Sequence, residues 1–219
     1  MPGRDGIEIA FRQYEKSDLE RCCEIAVGAW PEVFSIAEKG EASLAMEAYI
    51  DFYRASANWQ EVACASGSIV GILFGKVEGD LTWRGRLRAF LSERLVYLRI
   101  LTGSYGKMPG RMSLVRIAMS DDKNKLRNSP EADGEVIFFV VDRDRRGLGI
   151  GREMMDRFMK YARSRGARRI IVCTNDPGCN WGFYEKYGFR HYSTFCDNFT
   201  SHMRGEEVDG LIFSMDLKQ

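Results

Sequence analysis

Hydrophobic residues in the first part of the chain change from a spacing of two to a spacing of three and four. The stretch IEIAFRQY, residues 7–14, alternates apolar and polar side chains, which predicts a first strand. Apolar residues then recur on one face of a predicted helix, which Ser17 or Asp18 caps. These apolar residues are Leu19, Cys22, Cys23 and Ala26. The same spacing predicts a second helix from about Glu41 to Ala55.

Two apolar runs follow in EVACASGSIVGILFGKVEG, residues 61–79. Ser66 and Gly67 separate them and are typical of a tight turn. This pattern predicts a β-hairpin.

The segment from residue 80 to residue 134 is predicted to be an insertion of helices and loop. Six large apolar residues in it fit one helical face: Trp83, Leu87, Phe90, Leu91, Leu95 and Leu98. The same helix is basic through Arg84, Arg86, Arg88, Arg94 and Arg99. Its apolar face either covers the domain's own core or a dimer interface, or it binds a membrane, a nucleic acid or a partner protein. The near-zero net charge of the whole chain favours the first alternative.

The apolar pattern is clearest between residues 135 and 174. The run EVIFFVV, from Glu135 to Val141, is continuous, as expected for a central strand that is buried on both faces. A glycine-rich loop leads from it into an amphipathic helix that ends near Gly166, and RRIIVCTN is another buried strand. Strand, loop, helix and strand at this spacing predict a right-handed βαβ unit with parallel strands. A short helical stretch, NWGFYEKYGF, and a final hairpin that ends in VDGLIFSMDL complete the chain.

Length and composition indicate one domain, residues 1–219, with the insertion at 80–134 inside it. The chain has 219 residues, of which 45% are hydrophobic, so it can bury a sizeable core. Lys and Arg total 32 against 31 for Asp and Glu, so the global basic excess of a nucleic-acid-binding protein is absent. The chain has neither an apolar stretch of bilayer-spanning length nor a secretory signal, so we expect a cytoplasmic protein without membrane or nucleic-acid partners.

The six cysteines form no C-x-x-C pair, and the chain has two histidines. The cysteines are therefore expected to be reduced thiols. A histidine-rich metal site and a Cys/His nucleophilic pair are not expected.

The loop RDRRGLGIG, residues 143–151, suits a phosphate or pyrophosphate better than it suits an ordinary tight turn. A helix N-terminus offers unpaired backbone N–H groups and a partial positive charge, and glycines allow a close approach to the backbone. Nearby arginines add positive charge, which Asp142 and Asp144 partly offset.

Two common phosphate motifs do not match this loop. Arg152 stands where a G-x-G-x-x-G motif would need its third glycine, and the G-K-[ST] of a Walker A loop is absent. The pattern that matches is R-x-x-G-x-G, with Arg146, Gly149 and Gly151. In this the chain resembles the GCN5-related N-acetyltransferase (GNAT) family.

The resemblance implies a mixed α/β fold whose mostly antiparallel sheet contains one parallel pair. It implies that the loop cradles the pyrophosphate of acetyl-CoA through Arg146, Gly147, Leu148, Gly149, Ile150 and Gly151. It also implies that pantetheine lies between two splayed strands and contacts the backbone of Phe139, Val140 and Val141.

The segment FYEKYGF, residues 183–189, resembles the late signature of the same family. The resemblance implies that Tyr184 protonates the departing thiolate of the coenzyme, as a phenol can. Alternatively, Tyr184 only packs. Pro177 stands where the family often has asparagine, so Asn180 or Asn175 is the candidate for that role.

A base is needed because most alkylamines are protonated at neutral pH. Glu135 lies eleven residues before Arg146, the spacing of the basic glutamate in histone-type members of the family. The alternative is that Glu135 only faces solvent at the entrance of its strand. By the same resemblance, Trp30 and Phe34 line the acceptor pocket, where aromatic rings suit an apolar or cationic group.

The predicted activity is direct, acetyl-CoA-dependent N-acetylation of a primary amine in a small molecule or peptide. The alternative is a catalytically silent acyl-CoA-binding sensor or scaffold with the same fold. A homodimer is compatible with either prediction.

Overall fold

The computed structural model describes residues 8–30, 39–105, 111–176 and 181–217. Within these residues seven strands form one sheet. The strands are β1 (Ile9–Gln13), β2 (Trp59–Ala65), β3 (Ser68–Val77), β4 (Gly134–Val141), β5 (Arg169–Asp176), β6 (Arg190–Cys196) and β7 (Asp209–Asp216). The α-helices are α1 (Leu19–Ala29), α2 (Lys39–Ser56), α3 (Trp83–Thr102), α4 (Arg111–Asn128), α5 (Ile150–Ser164), α6 (Trp181–Tyr187) and α7 (Asn198–Arg204).

The strand order across the sheet is β1-β2-β3-β4-β5-β7-β6. Every neighbouring pair is antiparallel except β4 and β5, which are parallel. The prediction of a mixed α/β fold with one parallel pair in a mostly antiparallel sheet is confirmed. The continuous apolar run at residues 135–141 is the fourth of the seven strands, and α5 connects it to its parallel partner.

The parallel strands pair over only a short length. Their register has three pairs, which run from Gly134 opposite Ile170 to Val136 opposite Val172. Beyond Val136, β4 stays paired with β3 as far as Val141 but has no partner in β5. The two parallel strands therefore diverge and leave a gap in the middle of the sheet.

A β-bulge in β4 lies at the start of this gap. Phe138 is opposite Phe74 and Val136 is opposite Gly75, so Ile137 has no opposing residue in β3. The bulge changes which face of the sheet the side chains reach. Val136 packs in the core beneath α5, whereas Phe138 packs in the core beneath α1 and α2.

The helix α5 covers one of these two cores. Its predicted apolar face is confirmed, because Ile150, Met154, Phe158 and Ala162 are all buried. The predicted hairpin is confirmed too: β2 and β3 are antiparallel neighbours, joined by Ser66 in a left-handed conformation and by Gly67.

The predicted cap of the first helix is right in position only. Asp18 is the N-cap residue of α1, which begins at Leu19, but its side chain makes no capping hydrogen bond to that helix. The Asp18 carboxylate instead accepts two hydrogen bonds of 2.7 Å from Arg12 and one of 2.7 Å from the backbone N–H of Glu15. The ion pair with Arg12 and the fixed N–H group are stronger partners for the carboxylate than a helix end.

The final hairpin is only partly as predicted. β6 and β7 are antiparallel neighbours, but the helix α7 lies between them in the chain. Asp197 caps α7 by accepting a hydrogen bond of 2.8 Å from the backbone N–H of Thr200. The helix is two turns long, which is too short for its apolar spacing to stand out in the sequence.

The segment between β3 and β4 forms the two helices α3 and α4. Val96 on α3 is buried against Ala48 of α2 and Tyr105. The six apolar residues that were expected to cover the domain's own core point outward instead and are 49–69% exposed. Cover of the domain's own core is therefore wrong, because the face of α3 that packs on α2 is the one that carries Val96, whereas a dimer interface stays a prediction.

Among the residues that the structure describes, none of the helices combines the length and the apolar character that crossing a bilayer requires.

Candidate functional site

A cavity of about 880 Å³ opens where β4 and β5 diverge. Its walls come from the glycine loop and from α2, α4, α6 and α7. Eleven of the residues predicted from the sequence line it: Trp30, Glu135, Phe139, Val140, Val141, Arg146, Gly147, Gly149, Ile150, Gly151 and Tyr184. Leu148 does not line it and packs against the core instead. Phe34 and Asn180 lie outside the described residues.

The glycines of the loop serve two different purposes. Gly147 and Gly149 have φ values of 82° and 81°, and a Cβ atom on either would meet nothing within 4 Å. They are therefore needed for their left-handed backbone and face open space. Gly151 is needed for packing, because a Cβ atom there would lie 3.1 Å from the ring of Phe139.

The N-terminus of α5 makes this end of the cavity positive. Gly149 is the N-cap residue, so the N–H groups of the first turn are not used within the helix. Arg145, Arg146 and Arg152 line the cavity at the same end. Asp142, which was expected to offset this charge, forms a 2.6 Å ion pair with Arg21 of α1.

Tyr184 lies between the glycine loop and the strands. Its ring centroid is 5.6 Å from that of Phe183, 5.9 Å from that of Phe189 and 6.5 Å from that of Phe139. The half-buried tyrosine packs in this aromatic group and at the same time lines the cavity. The position of Tyr184 therefore allows both alternatives, packing and proton donation to the coenzyme thiolate.

Glu135 forms an ion pair with Lys125, whose Nζ donates to Glu135 Oε1. Burial opposes the charge of Lys125, but the carboxylates of Glu135 and Asp122 outweigh it and hold the pKa of Lys125 above its usual value. Glu135 is therefore not a solvent-facing residue at a strand entrance. Its carboxylate lines the cavity and is held by a lysine from α4.

Further carboxylates lie at the same end of the cavity, on α4 and at the start of α7. Asp121 accepts hydrogen bonds of 3.0 Å from the backbone N–H of Asn198 and 2.8 Å from its side chain. Asp122 also lines the cavity, and burial raises its pKa. Asp197, the cap of α7, completes this group.

Asn175 has its side chain directed at α7. Its Nδ2 donates to Thr200 Oγ1 at 3.0 Å. Asn175 therefore supports the wall of the cavity. Asn180, the other candidate for the asparagine that the family often has here, lies outside the described residues.

Aromatic rings line the cavity beside the carboxylates. Trp30 packs edge-on against Phe138 with ring centroids 5.8 Å apart, and Tyr49 stacks with Phe199 at 6.1 Å. Tyr53 packs against the same Phe138, and burial raises its pKa well above the usual value. These rings and carboxylates together favour a cationic group.

Cys173 is the thiol that lines the cavity within the described residues. Burial raises its pKa to about 12, although Lys125 opposes the shift. A thiol with this pKa stays protonated at neutral pH and is a poor nucleophile.

The cavity therefore has ends of opposite charge. Arginines and the N-terminus of α5 lie at one end, and four carboxylates with a single lysine lie at the other. Such a cavity can hold an anionic group and a cationic group together.

Sequence reasoning missed the residues of α4 and α7 that form the acidic end. Asp121, Asp122 and Lys125 lie in the polar stretch MSDDKNK between β3 and β4, where they resemble an ordinary solvated helix face. No spacing rule connects them with Glu135, because a loop and part of a strand intervene and the contact depends on how α4 folds back.

A known protein family matches most of the part of the chain that forms this cavity. The family model described as "Acetyltransferase (GNAT) family" matches residues 19–189, which include β4, the glycine loop and α6. No curated protein matches the chain at the sequence level.

Solved structures share the fold at low sequence identity. The ribosomal-protein-S18-alanine N-acetyltransferase from Escherichia coli has a TM-score of 0.56 at 10% identity, covering 97% of this chain and 96% of its own. The IAA acetyltransferase from Bacillus cereus ATCC 14579 has a TM-score of 0.53 at 16% identity, covering 96% and 100%. An N-acetyltransferase from Staphylococcus aureus Mu50 has a TM-score of 0.50 at 15% identity, covering 96% and 99%. With its split parallel pair, its R-x-x-G-x-G loop and a family match over most of its length, the chain belongs to the GNAT acetyltransferase family.

Proposed function

We propose that the protein transfers the acetyl group of acetyl-CoA directly to a primary amine of a small molecule or peptide. The observation that carries this proposal is the cavity with two oppositely charged ends. A coenzyme with phosphates suits the end that contains α5, and an amine, which is a cation before it reacts, suits the end that contains Glu135.

The glycine loop is the proposed site for the pyrophosphate. Its support is the open space beside Gly147 and Gly149 and the unused N–H groups of the first turn of α5. Arg146 supplies a charged partner, and its Nε is 3.4 Å from the carbonyl oxygen of Val141, which keeps it beside the loop.

The gap between β4 and β5 is the proposed site for pantetheine. Residues 137–141 of β4 have no partner in β5, so backbone groups on that edge are open to a ligand. The contacts proposed for Phe139, Val140 and Val141 are therefore backbone contacts. The side chain of Val140 is buried in the core beneath α1 and α2.

At the acidic end, Glu135 is the proposed proton acceptor for the incoming ammonium group. Lys125 donates to this carboxylate and holds it in place within the cavity. The bulge at Ile137 lies at the opening of the gap, and its backbone N–H is the proposed donor to the thioester oxygen, where negative charge develops.

The chemical step forms a C–N bond and breaks the C–S bond of the thioester. The ammonium group first loses a proton to Glu135, and the neutral nitrogen then attacks. The departing thiolate takes a proton from Tyr184, and the second proton that the nitrogen loses as the amide forms goes to the Tyr184 phenolate. Glu135 then releases its proton to solvent, which restores the enzyme. Cys173 does not form an acyl-enzyme, because its thiol stays protonated.

Thermal unfolding with excess acetyl-CoA, CoA, NAD or ATP tests the ligand. A ligand at about 100 times its Kd adds ~2.7 kcal/mol, which raises the Tm of a chain of this size by roughly 5–10 °C. We expect this shift with acetyl-CoA and CoA only. A shift with ATP or NAD alone would contradict the proposal. A shift with acetyl-CoA but no turnover in an amine screen would favour the silent binding protein.

Gly149→Glu tests the loop, and Gly67→Glu is its matched control. The two glycines have φ values of 81° and 79°, and neither has an atom within 4 Å of an added Cβ. Both variants therefore carry the same backbone strain, about 1–2 kcal/mol. We expect Gly149→Glu to abolish the shift caused by acetyl-CoA, through bulk and negative charge, and Gly67→Glu to keep it. Equal shifts in both variants would remove the loop from the binding site.

A further inference from the structure

The outer face of α3 is an exposed apolar stripe, which we define as Trp83, Leu87, Phe90, Leu91, Leu95 and Leu98. All of these except Phe90 follow one another at spacings of four, four, four and three residues, so they lie on one side of the helix. Each is 49–69% exposed. Single exposed apolar residues are common, but a stripe along a 20-residue helix, about 30 Å long, is not.

The stripe is exposed although α3 itself is firmly packed. On the opposite side of the helix, Val96 is buried against α2, and the rings of Tyr97 and Phe52 lie 5.4 Å apart. Arg99 of α3 also reaches Asp51 of α2 at 3.5 Å. The helix is held in place with its apolar stripe outward, so a rearrangement within the domain is not needed to present it.

Positive charge accompanies the stripe. α3 contains five arginines and one acidic residue, Glu93, which gives it a formal charge of +4 although the whole chain has +1. Within the part of the chain that the structure describes, Arg84, Arg88 and Arg94 are in no ion pair. Arg84 lies over the ring of Trp83 at 5.3 Å and Arg94 over the ring of Phe90 at 4.9 Å, so their charges flank the apolar stripe.

We propose that this face of α3 docks on an anionic lipid bilayer, in the plane of its headgroups. Tryptophan, phenylalanine and leucines between unpaired arginines are the chemistry of an interfacial helix: the apolar side chains enter the acyl boundary and the guanidinium groups contact anionic headgroups.

Charge argues against a second copy of the chain as the occupant. A two-fold contact would set the arginines of one stripe against those of the other, with Glu93 as the single acid on each helix. Glu93 is half-buried and lies three residues before the buried Val96, so it is on the packed side of α3 rather than on the stripe. A nucleic acid would use the arginines but would leave the leucines exposed to water.

Co-sedimentation of the full chain with vesicles tests the proposal. We expect binding to phosphatidylcholine vesicles that contain phosphatidylglycerol, weaker binding as salt rises, and little binding to phosphatidylcholine alone. The fluorescence of Trp83 should shift to the blue on binding, and Trp83→Phe should remove that shift. Equal binding to neutral and anionic vesicles, or no binding to either, would overturn the proposal.

Two sets of variants separate the contributions. Leu87→Ser with Leu91→Ser should abolish binding, and Arg84→Gln with Arg88→Gln should weaken it by about fivefold per arginine. Leu126→Ser is the matched control, because this α4 leucine is exposed but lies outside the stripe. All these side chains are exposed, so the Tm should not change. Leucine variants that bind vesicles normally, or that dissociate a dimer without affecting vesicle binding, would contradict the proposal.

Discussion

Tyr184 and Tyr187 lie three residues apart on α6. Of these two tyrosines, Tyr184 lines the cavity and Tyr187 does not. If Tyr184 protonates the thiolate, Tyr184→Phe should lower kcat by about 10²-fold and leave the KM for acetyl-CoA almost unchanged. Steady-state kinetics with a known amine measures both constants.

Tyr187→Phe is the matched control. It also removes one hydroxyl, which donates to Asp156 at 2.6 Å outside the cavity. An equal loss of kcat in both variants would mean that α6 needs its hydroxyl groups for packing, and Tyr184 would then have no chemical role.

Glu135 gives a prediction about pH. Glu135→Gln removes the proton acceptor, so kcat/KM should fall by about 10²-fold, and the loss should grow as pH decreases because the free amine becomes scarce. The pH profile of kcat/KM measures this.

Two controls separate proton transfer from the loss of the ion pair. Lys125→Gln breaks the same pair but keeps the carboxylate, so it should not reproduce the growing loss at low pH. Glu131→Gln changes a glutamate outside the cavity and should leave the profile unaltered. If Lys125→Gln and Glu135→Gln gave the same profile, Glu135 would be structural.

At the scale of the elements, β3 and α5 meet at a glycine. A Cβ atom on Gly75 would lie 2.2 Å from the rigid ring of Phe158, which is fully buried. Gly75→Ala should therefore lower the free energy of unfolding by about 1–3 kcal/mol, which thermal or denaturant unfolding measures.

Gly71→Ala, four residues earlier on the same strand, is the control for this change. Its Cβ atom would lie 3.0 Å from the sulfur of Met154, a flexible side chain that can shift. Gly71→Ala should cost less than Gly75→Ala, and the reverse order would mean that α5 does not constrain the sheet at Phe158.

Elements with a strong internal pattern could be predicted from the sequence. The spacing of Ile150, Met154 and Phe158 indicates α5 because one apolar face must cover the sheet. β4 could be predicted because a strand with both faces covered leaves a continuous apolar run in the sequence. α7 could not, since two turns give too few apolar positions, and its cap at Asp197 resembles a loop residue.

At the scale of the whole molecule, the basic end of the candidate site was predictable from the sequence, whereas most of the acidic end, apart from Glu135, was not. The basic end is a local feature, in which strand, loop and helix follow one another along the chain. The acidic end depends on contacts between distant residues, such as Lys125 with Glu135 and Asp121 with Asn198. Such contacts depend on tertiary packing and leave no periodic pattern.

α3 and α4 leave and rejoin the sheet at adjacent points. Val77 at the end of β3 is paired with Gly134 at the start of β4, and the N–H of Glu78 donates to the carbonyl oxygen of Asp133 at 2.8 Å. The two ends of this segment are therefore as close as those of a hairpin turn. A change in the length of the segment leaves the pairing of β3 with β4 intact, whereas it alters the acidic end of the cavity, to which the segment contributes Asp121, Asp122 and Lys125.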